Sequence, residues 1–256
     1  MGELETALRA LREAGGRAFV PFVTGGLPGV DADLLRAIEA SGADAIEVGI
    51  PFSDPVMDGG VIQEASRLAL GAGAHPVDIL STIGAASLSI PVAVMTYVNP
   101  VFRRGVERFL DEAAAANVAG IIVPDLPVEE ASSLDREAAA RGIDAVLLAA
   151  PGTSRDRLAA IAGSAHGFVY CVATYGVTGA RERLATTAQD LVSTLRPLTD
   201  LPLLVGVGIG TPQQASAVCS FADGVIVGSA LMARLVQGDR AGALELAAAF
   251  RAAIPR

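Results

Sequence analysis

The 256-residue sequence contains no lysine, so its 19 residues counted as Lys or Arg are all arginines. Enzymes that form a Schiff base with a carbonyl substrate, or that carry pyridoxal phosphate, need a lysine amine. The chain therefore cannot carry out that chemistry alone. Tryptophan is absent too, and aromatic residues make up 4% of the chain, so we expect a core of alanine, valine, leucine and isoleucine.

Cysteine and histidine are scarce, with Cys171, Cys219, His75 and His166 the only examples. The cysteines lie in apolar runs, which predicts buried free thiols in a reducing compartment. No Cys/His cluster has zinc spacing, so we expect neither a metal site nor a His-based triad. The sequence shows no charged-then-apolar leader and no apolar run of membrane-spanning length, so we expect a cytoplasmic protein.

The net charge of −9 and the pI of about 4.7 argue against general affinity for nucleic acid or anionic membranes. Hydrophobic residues form 52% of the chain, which is enough for a large core. Short β-branched runs alternate with helical segments. We predict strands over Ala18–Thr24, Ala45–Gly49, Val92–Tyr97, Gly120–Val123, Asp144–Ala149, Phe168–Val172, Pro202–Val207 and Gly224–Val227.

Helices are predicted between the strands, with Val61–Ala72 and Pro76–Leu88 as an added pair between the second and third. This alternation favours a single-domain (β/α)8 TIM barrel with extra helices over residues 1–256. A doubly wound open sheet is the alternative. It would usually carry a G-x-G-x-x-G turn after the first strand, whereas the turn here is Val23–Gly29, without that spacing.

Glu47 stands inside an apolar strand, and the following loop carries Asp54 and Asp58. A carboxylate in an apolar strand is costly unless it is paired or used. Near the carboxyl-terminal end of a barrel strand, such a residue is a candidate catalytic acid or base, although an ion pair with an arginine at the rim is the alternative. Asp58 alone also fits simple turn chemistry. Asp125, after the fourth strand, is interpreted as structural, holding a neighbouring loop.

Two glycine-rich turns, Val205–Pro212 and Asp223–Ala230, lead from the last two strands into helices. Backbone N–H groups at helix N-termini bind phosphate, and the last two loops of barrels often do so. These turns predict a phosphate site that needs no lysine, with tight turns alone as the alternative. The loop Tyr170–Arg181 is long enough to act as a lid and could add Gly179 as a donor.

Five segments together resemble the tryptophan synthase α subunit family over essentially the whole chain. They are Phe19–Gly26, Glu47–Gly59, Asp125–Glu130, Gly176–Gly179 and Gly206–Ile209. The P-F-S-D-P-x-x-D-G segment at Pro51–Gly59 is the most specific of them. The resemblance implies retro-aldol cleavage of indole-3-glycerol phosphate to indole and glyceraldehyde 3-phosphate, without cofactor or metal in this chain. Pro124 departs from the small residue expected beside the indole.

By this resemblance Glu47 is the principal acid/base, Asp58 binds the indole N–H, and Tyr170 lies near the substrate. The indole pocket would be formed by Phe22, Met95 and Ile122, and the phosphate would be bound by Gly179, Gly208, Gly228 and Ser229. Thr178 is a further substrate-binding residue.

The resemblance also implies an α2β2 complex with a tryptophan synthase β subunit, which holds pyridoxal phosphate and receives the indole. The expected contacts are the Glu47–Gly59 loop, a turn at Asn99–Phe102, and the Gly176–Arg183 lid. Two other functions stay open at this point. One is a phosphate-binding barrel isomerase, which would usually place two acid/base groups at strand ends. The other is a non-catalytic activator of a β-like enzyme.

Overall fold

The computed structural model describes residues 1–172, 181–206 and 208–256, with the backbone alone for residues 181–186. Parallel strands close into a barrel in chain order, with the last strand pairing with the first. The strands are β1 Ala18–Thr24, β2 Ile46–Gly49, β3 Val92–Met95, β4 Val118–Ile122, β5 Asp144–Ala149, β6 Val169–Val172, β7 Leu203–Gly206 and β8 Gly224–Val227. The predicted (β/α)8 TIM barrel is confirmed.

Helices surround the barrel, and the added pair between β2 and β3 is present as predicted. The helices are α1 Glu3–Glu13, α2 Ala32–Ala40, α3 Gly60–Gly71, α4 Pro76–Ala86, α5 Val98–Arg104, α6 Val106–Ala115, α7 Ser132–Ala139, α8 Arg155–Ser164, α9 Arg181–Leu195, α10 Pro212–Val218, α11 Ser229–Val236 and α12 Arg240–Ala253.

Helix α1 was not predicted, and it owes its position to a distant carboxylate. Asp144, the first residue of β5, accepts hydrogen bonds from the backbone N–H groups of Gly2 and Glu5, both at 2.9 Å. These are donors at the start of α1, where the helix itself offers no acceptor. Leu4 is fully buried, so α1 lies across the amino-terminal end of the barrel. The opposite end is left for a site.

The predicted turn at Asn99–Phe102 is wrong, because these residues lie within helix α5. The backbone N–H of Val98, the first residue of α5, donates to Asp125 Oδ1 at 2.8 Å. Pro100 lies in the first turn of α5, where backbone N–H groups have no acceptor within the helix. The N–H that proline lacks therefore costs no helical hydrogen bond. This hydrogen bond also confirms the structural interpretation of Asp125.

Strand register places the candidate residues at one level of the barrel. Glu47 in β2 is paired with Phe22 in β1 and with Ala93 in β3. Since side chains of paired residues in a parallel sheet share a face, Phe22 and Glu47 point the same way. The loops that follow the strands all leave from the same end, and that end carries the site.

Candidate active site

A cavity of about 170 Å³ lies at the carboxyl-terminal end of the barrel. Among its lining residues are eight of the eleven predicted site residues: Phe22, Glu47, Asp58, Met95, Tyr170, Gly208, Gly228 and Ser229. Thr178 and Gly179, together with most of the predicted lid, lie outside the described residues. Residues that are far apart in sequence therefore meet in one cavity.

Glu47 is completely buried, and neither of its carboxylate oxygens has a hydrogen-bond partner in the described part of the chain. It also lines the cavity. Removal from water destabilises the charged form and, with the nearby charge of Asp58, raises the pKa of Glu47 to about 8. Glu47 therefore carries a proton at neutral pH. Among the described residues, no arginine forms an ion pair with Glu47, so the alternative of an ion pair at the rim is not supported.

Asp58 is half-buried on the loop between β2 and α3. Burial raises the pKa of Asp58 to about 6, and the Tyr97 hydroxyl acts in the opposite direction by hydrogen bonding. Asp58 is therefore ionised at neutral pH while Glu47 is protonated. Two carboxyl groups whose environments separate their pKa values can take different roles in one reaction.

Tyr170 lies on β6, is 5% exposed, and directs its hydroxyl toward the backbone of Gly206 on β7. Burial and the charges of Glu47 and Asp58 raise the pKa of the phenol well above its usual value. The hydroxyl is therefore neutral and can donate a hydrogen bond within the cavity. Its ring lies beside that of Phe168, with centroids 6.1 Å apart.

The two glycine-rich turns differ in which N–H groups remain available. At α10, Thr211 and Gln214 form a capping box, and Gln214 Oε1 accepts from the N–H groups of Gly210 and Thr211. At α11, which begins at Ser229, no side chain of the described residues caps the first turn. Ser229 is exposed and lines the cavity together with Gly208, whose φ is +86°.

Apolar side chains form the remaining wall of the cavity, and Ile122 is not among them. Ile122 is fully buried and is paired in register with Met95, which does line the cavity. Pro124, two residues farther along the chain and closer to the open end, lines the cavity instead, as do Phe22 and Leu148. Ile122 therefore does not line this cavity, and its place in the indole pocket stays a prediction.

The other polar candidates lie elsewhere. Asp54 is exposed and accepts from the Ser53 hydroxyl at 2.6 Å. His75 precedes α4, and His166, ahead of β6, is 3.5 Å from Asp135.

Both cysteines are buried free thiols, as predicted. Within the described ranges, no group of three or more metal-ligating side chains could hold a metal ion. The same residues include no helix with the length and apolar character needed to cross a bilayer.

Sequence reasoning missed several residues at the site: Met57, Ile62, Tyr97, Leu148 and Ile209. Leu148 lies in a correctly predicted strand, but β5 is apolar on both faces, so its sequence does not reveal which residues point inward. Tyr97 lies just after β3, separated from it by Thr96, and a polar aromatic residue at the active end was the signal that could have revealed it. Its hydroxyl accepts from the Met57 N–H at 3.0 Å.

A protein-family model described as the tryptophan synthase alpha chain matches residues 8–252. The tryptophan synthase alpha chain of Synechococcus elongatus is 44% identical over 261 aligned positions, covering 100% of this chain and 98% of that protein. The corresponding chain of Prochlorococcus marinus is 48% identical over 237 positions, covering 91% of this chain and 86% of its own length.

Solved structures agree with the sequence relatives. Tryptophan synthase of Mycobacterium tuberculosis superimposes with a TM-score of 0.91 at 36% identity, covering 100% of this chain and 99% of that chain. Tryptophan synthase subunit alpha of Legionella pneumophila gives a TM-score of 0.89 at 32% identity, covering 99% and 98%. The barrel, the two carboxyl groups in its cavity and these relatives lead to one conclusion: the chain belongs to the tryptophan synthase α chain family.

Proposed function

We propose that Glu47 and Asp58 are the catalytic carboxyl groups for the reaction of this family. The tryptophan synthase α chain is a carbon–carbon lyase of tryptophan biosynthesis (EC 4.2.1.20). It cleaves indole-3-glycerol phosphate to indole and glyceraldehyde 3-phosphate by a retro-aldol reaction. The observation that carries the assignment is the fully buried Glu47 carboxyl group, which faces the cavity without a partner among the described residues.

The reaction needs a proton at one atom and removes one from another. Protonation of indole C3 turns the ring into an electron sink for the breaking carbon–carbon bond. The hydroxyl on the adjacent side-chain carbon loses its proton as that carbon becomes the aldehyde. Glu47, protonated at neutral pH, gives the first proton and can then accept the second as a carboxylate, so it returns to its starting state.

Asp58 has a complementary role because it is already ionised at neutral pH. Its carboxylate accepts a hydrogen bond from the indole N–H and stabilises the positive charge that develops on the ring after C3 is protonated. Tyr170, a neutral donor that lines the same cavity, is assigned to the glycerol hydroxyl groups of the substrate.

The phosphate is bound by groups that do not need a lysine. Gly208, Gly228 and Ser229 line the cavity at the ends of β7 and β8. The first turn of α11 directs N–H dipoles at an anion. By resemblance, Gly179 belongs to the same proposed site and Thr178 is a further substrate-binding residue.

We also propose that the chain works with a β subunit as an α2β2 complex, in the cytoplasm, where its free thiols would stay reduced. Val56, on the Glu47–Gly59 loop, and Phe102, on α5, are exposed by 79% and 59%. Both segments follow strands at the end of the barrel that carries the site, and large exposed apolar side chains at one end of a molecule favour a protein interface. The pyridoxal phosphate of the complex belongs to the β subunit, since this chain lacks the lysine that such a cofactor requires.

The experiment that tests these assignments is indole release from indole-3-glycerol phosphate by the wild type and by Glu47→Gln, with and without a β subunit. Glutamine preserves the size of the side chain but cannot transfer a proton, so kcat should fall by at least ~100-fold. The β subunit should raise the wild-type rate and still bind the variant. If Glu47→Gln kept its activity, Glu47 would not be the catalytic acid. If the wild type released no indole even with the β subunit present, indole-3-glycerol phosphate would not be the substrate.

A further inference from the structure

We propose that Tyr97 is a positioning residue that holds the loop between β2 and α3 so that Asp58 faces the cavity. The inference rests on the proposed role of Asp58, because the loop matters to the reaction through that carboxylate. Tyr97 itself is 4% exposed and lies at the start of α5, beside the strand that follows β2 in the barrel.

Tyr97 contacts the loop at two points, one on each side of its exposed turn. Its ring stacks on Phe52, with centroids 5.1 Å apart and planes 26° apart. Its hydroxyl accepts a hydrogen bond from the backbone N–H of Met57 at 3.0 Å. Met57 is the residue directly before Asp58, so this bond fixes the backbone from which the carboxylate extends.

The loop needs such a support because most of it is exposed. Ser53, Asp54, Val56 and Met57 all lie at the surface. The backbone hydrogen bonds of the turn are local, such as Asp58 N–H to Pro55 O at 3.0 Å. Local bonds shape the turn, but they do not fix its distance from the barrel. The contact with Tyr97 does, since that residue is the N-cap of α5 and is held between β3 and that helix.

Tyr97 is itself fixed by a third segment. The N–H of Val98, the next residue, donates to Asp125 Oδ1 at 2.8 Å, and Asp125 follows β4. Three consecutive strands thus contribute to one chain of contacts, from Asp125 through Tyr97 to Met57. Asp125 takes no part in the proposed chemistry, and its function in this proposal is to hold the start of α5 and thereby Tyr97.

Electrostatics around Asp58 fit the geometry. Among the described residues, the titratable groups that interact electrostatically with Asp58 are Glu47 from β2, Tyr97 from the start of α5 and Tyr170 from β6. The Tyr97 hydroxyl lowers the pKa of Asp58, in opposition to burial. Burial and the charges of Asp58 and Asp125 raise the pKa of Tyr97 above its usual value, so the hydroxyl remains a donor.

The test is Tyr97→Phe, which keeps the ring on Phe52 and removes the hydroxyl. The readouts are the carbon-13 titration of the Asp58 carboxyl group in the free protein and the pH profile of kcat/KM. We expect the Asp58 midpoint and the acidic limb to move together to higher pH. We also expect kcat to fall by about tenfold, the typical effect of one lost hydrogen bond, with KM within about twofold. Phe52→Leu, which keeps the hydroxyl, should leave the acidic limb in place.

An unchanged Asp58 titration and an unchanged acidic limb in Tyr97→Phe would overturn the proposal, even if kcat fell, because that pattern belongs to a merely structural residue. The titration requires no substrate. A wild type that fails to cleave indole-3-glycerol phosphate would therefore overturn the proposed function, while the titration would still decide the role of Tyr97.

Discussion

A Cβ atom on Gly206 would lie 2.4 Å from the hydroxyl oxygen of Tyr170 and 2.5 Å from the edge of its ring. Such distances are far below contact, so β7 admits the tyrosine because position 206 has no side chain. Tyr170 crosses from β6 over the neighbouring strand, and its hydroxyl reaches the cavity that also contains Glu47. The position of the tyrosine thus depends on a glycine that itself does not line the cavity.

Gly206→Ala should displace Tyr170 and lower kcat/KM by at least about tenfold, because misplacing a group at the reaction centre is costly. Overpacking of a buried position should also reduce the free energy of unfolding by about 1–3 kcal/mol. Steady-state kinetics and urea unfolding measure both effects. Gly163→Ala, within α8, is the control: a Cβ there would meet no atom within 4 Å, so it should keep wild-type kinetics and lose no stability. Normal kinetics in Gly206→Ala would show that the position of Tyr170 does not matter.

The pH profile of kcat/KM should be bell-shaped. Asp58 must be ionised, which sets a rising limb near pH 6, and Glu47 must be protonated, which sets a falling limb near pH 8. The two groups influence each other, so the limbs report apparent values of the pair. Asp58→Asn should remove the rising limb from whatever activity remains. A profile that is flat from pH 5 to 9 would refute this assignment of roles.

Glu47 should make the folded protein less stable as pH rises. Its pKa is raised from an ordinary 4.5 to about 8, so the folded state holds a proton that the unfolded state releases between these values. Stability therefore decreases through that window, at roughly 1.4 kcal/mol per pH unit for one proton. Urea unfolding at pH 5, 6.5 and 8 should show a weaker decrease in Glu47→Gln.

Glu64 provides the control for that experiment because it is an exposed glutamate on α3, paired with Arg67. Glu64→Gln should retain the wild-type pH dependence. Equal slopes in the wild type and Glu47→Gln would mean that Glu47 is ionised in the folded protein across this range.

Ser229→Ala should weaken phosphate binding while leaving the chemical step intact. Loss of one hydrogen bond to a charged group is worth about 1.5–3 kcal/mol, so KM should rise by at least roughly tenfold with little change in kcat. Ser154→Ala is the matched control, since Ser154 caps α8 and accepts from the Arg157 N–H at 3.4 Å. It should cost about 1 kcal/mol of stability without changing KM. If the two variants had equal KM values, Ser229 would not bind the phosphate of the substrate.

The strands were predictable because buried parallel strands form short β-branched runs between helices. Glu47 was predictable because it is the charged exception in such a run. By contrast, α1 depends on Asp144, which lies 142 residues from Gly2, and no local pattern shows that contact. Tyr97 was missed as a site residue for the same reason, since its partner Met57 is 40 residues away.

The absence of Ile122 from the cavity lining has a different cause. The strand was predictable from the sequence, but the depth of each layer in the barrel was not. Ile122 is buried below the cavity level while Pro124 reaches it. Depth depends on how far each strand is shifted against its neighbours, and this follows from the closed barrel as a whole.

Burial keeps Glu47 protonated at neutral pH, so that it can protonate the indole ring. Carbon-13 labelling of the glutamate carboxyl groups allows a direct titration by NMR, with Glu47→Gln to assign the resonance. We expect a midpoint near pH 8. A midpoint near 4.5, the ordinary value for glutamate, would contradict it, because Glu47 would then be a carboxylate without a proton to donate.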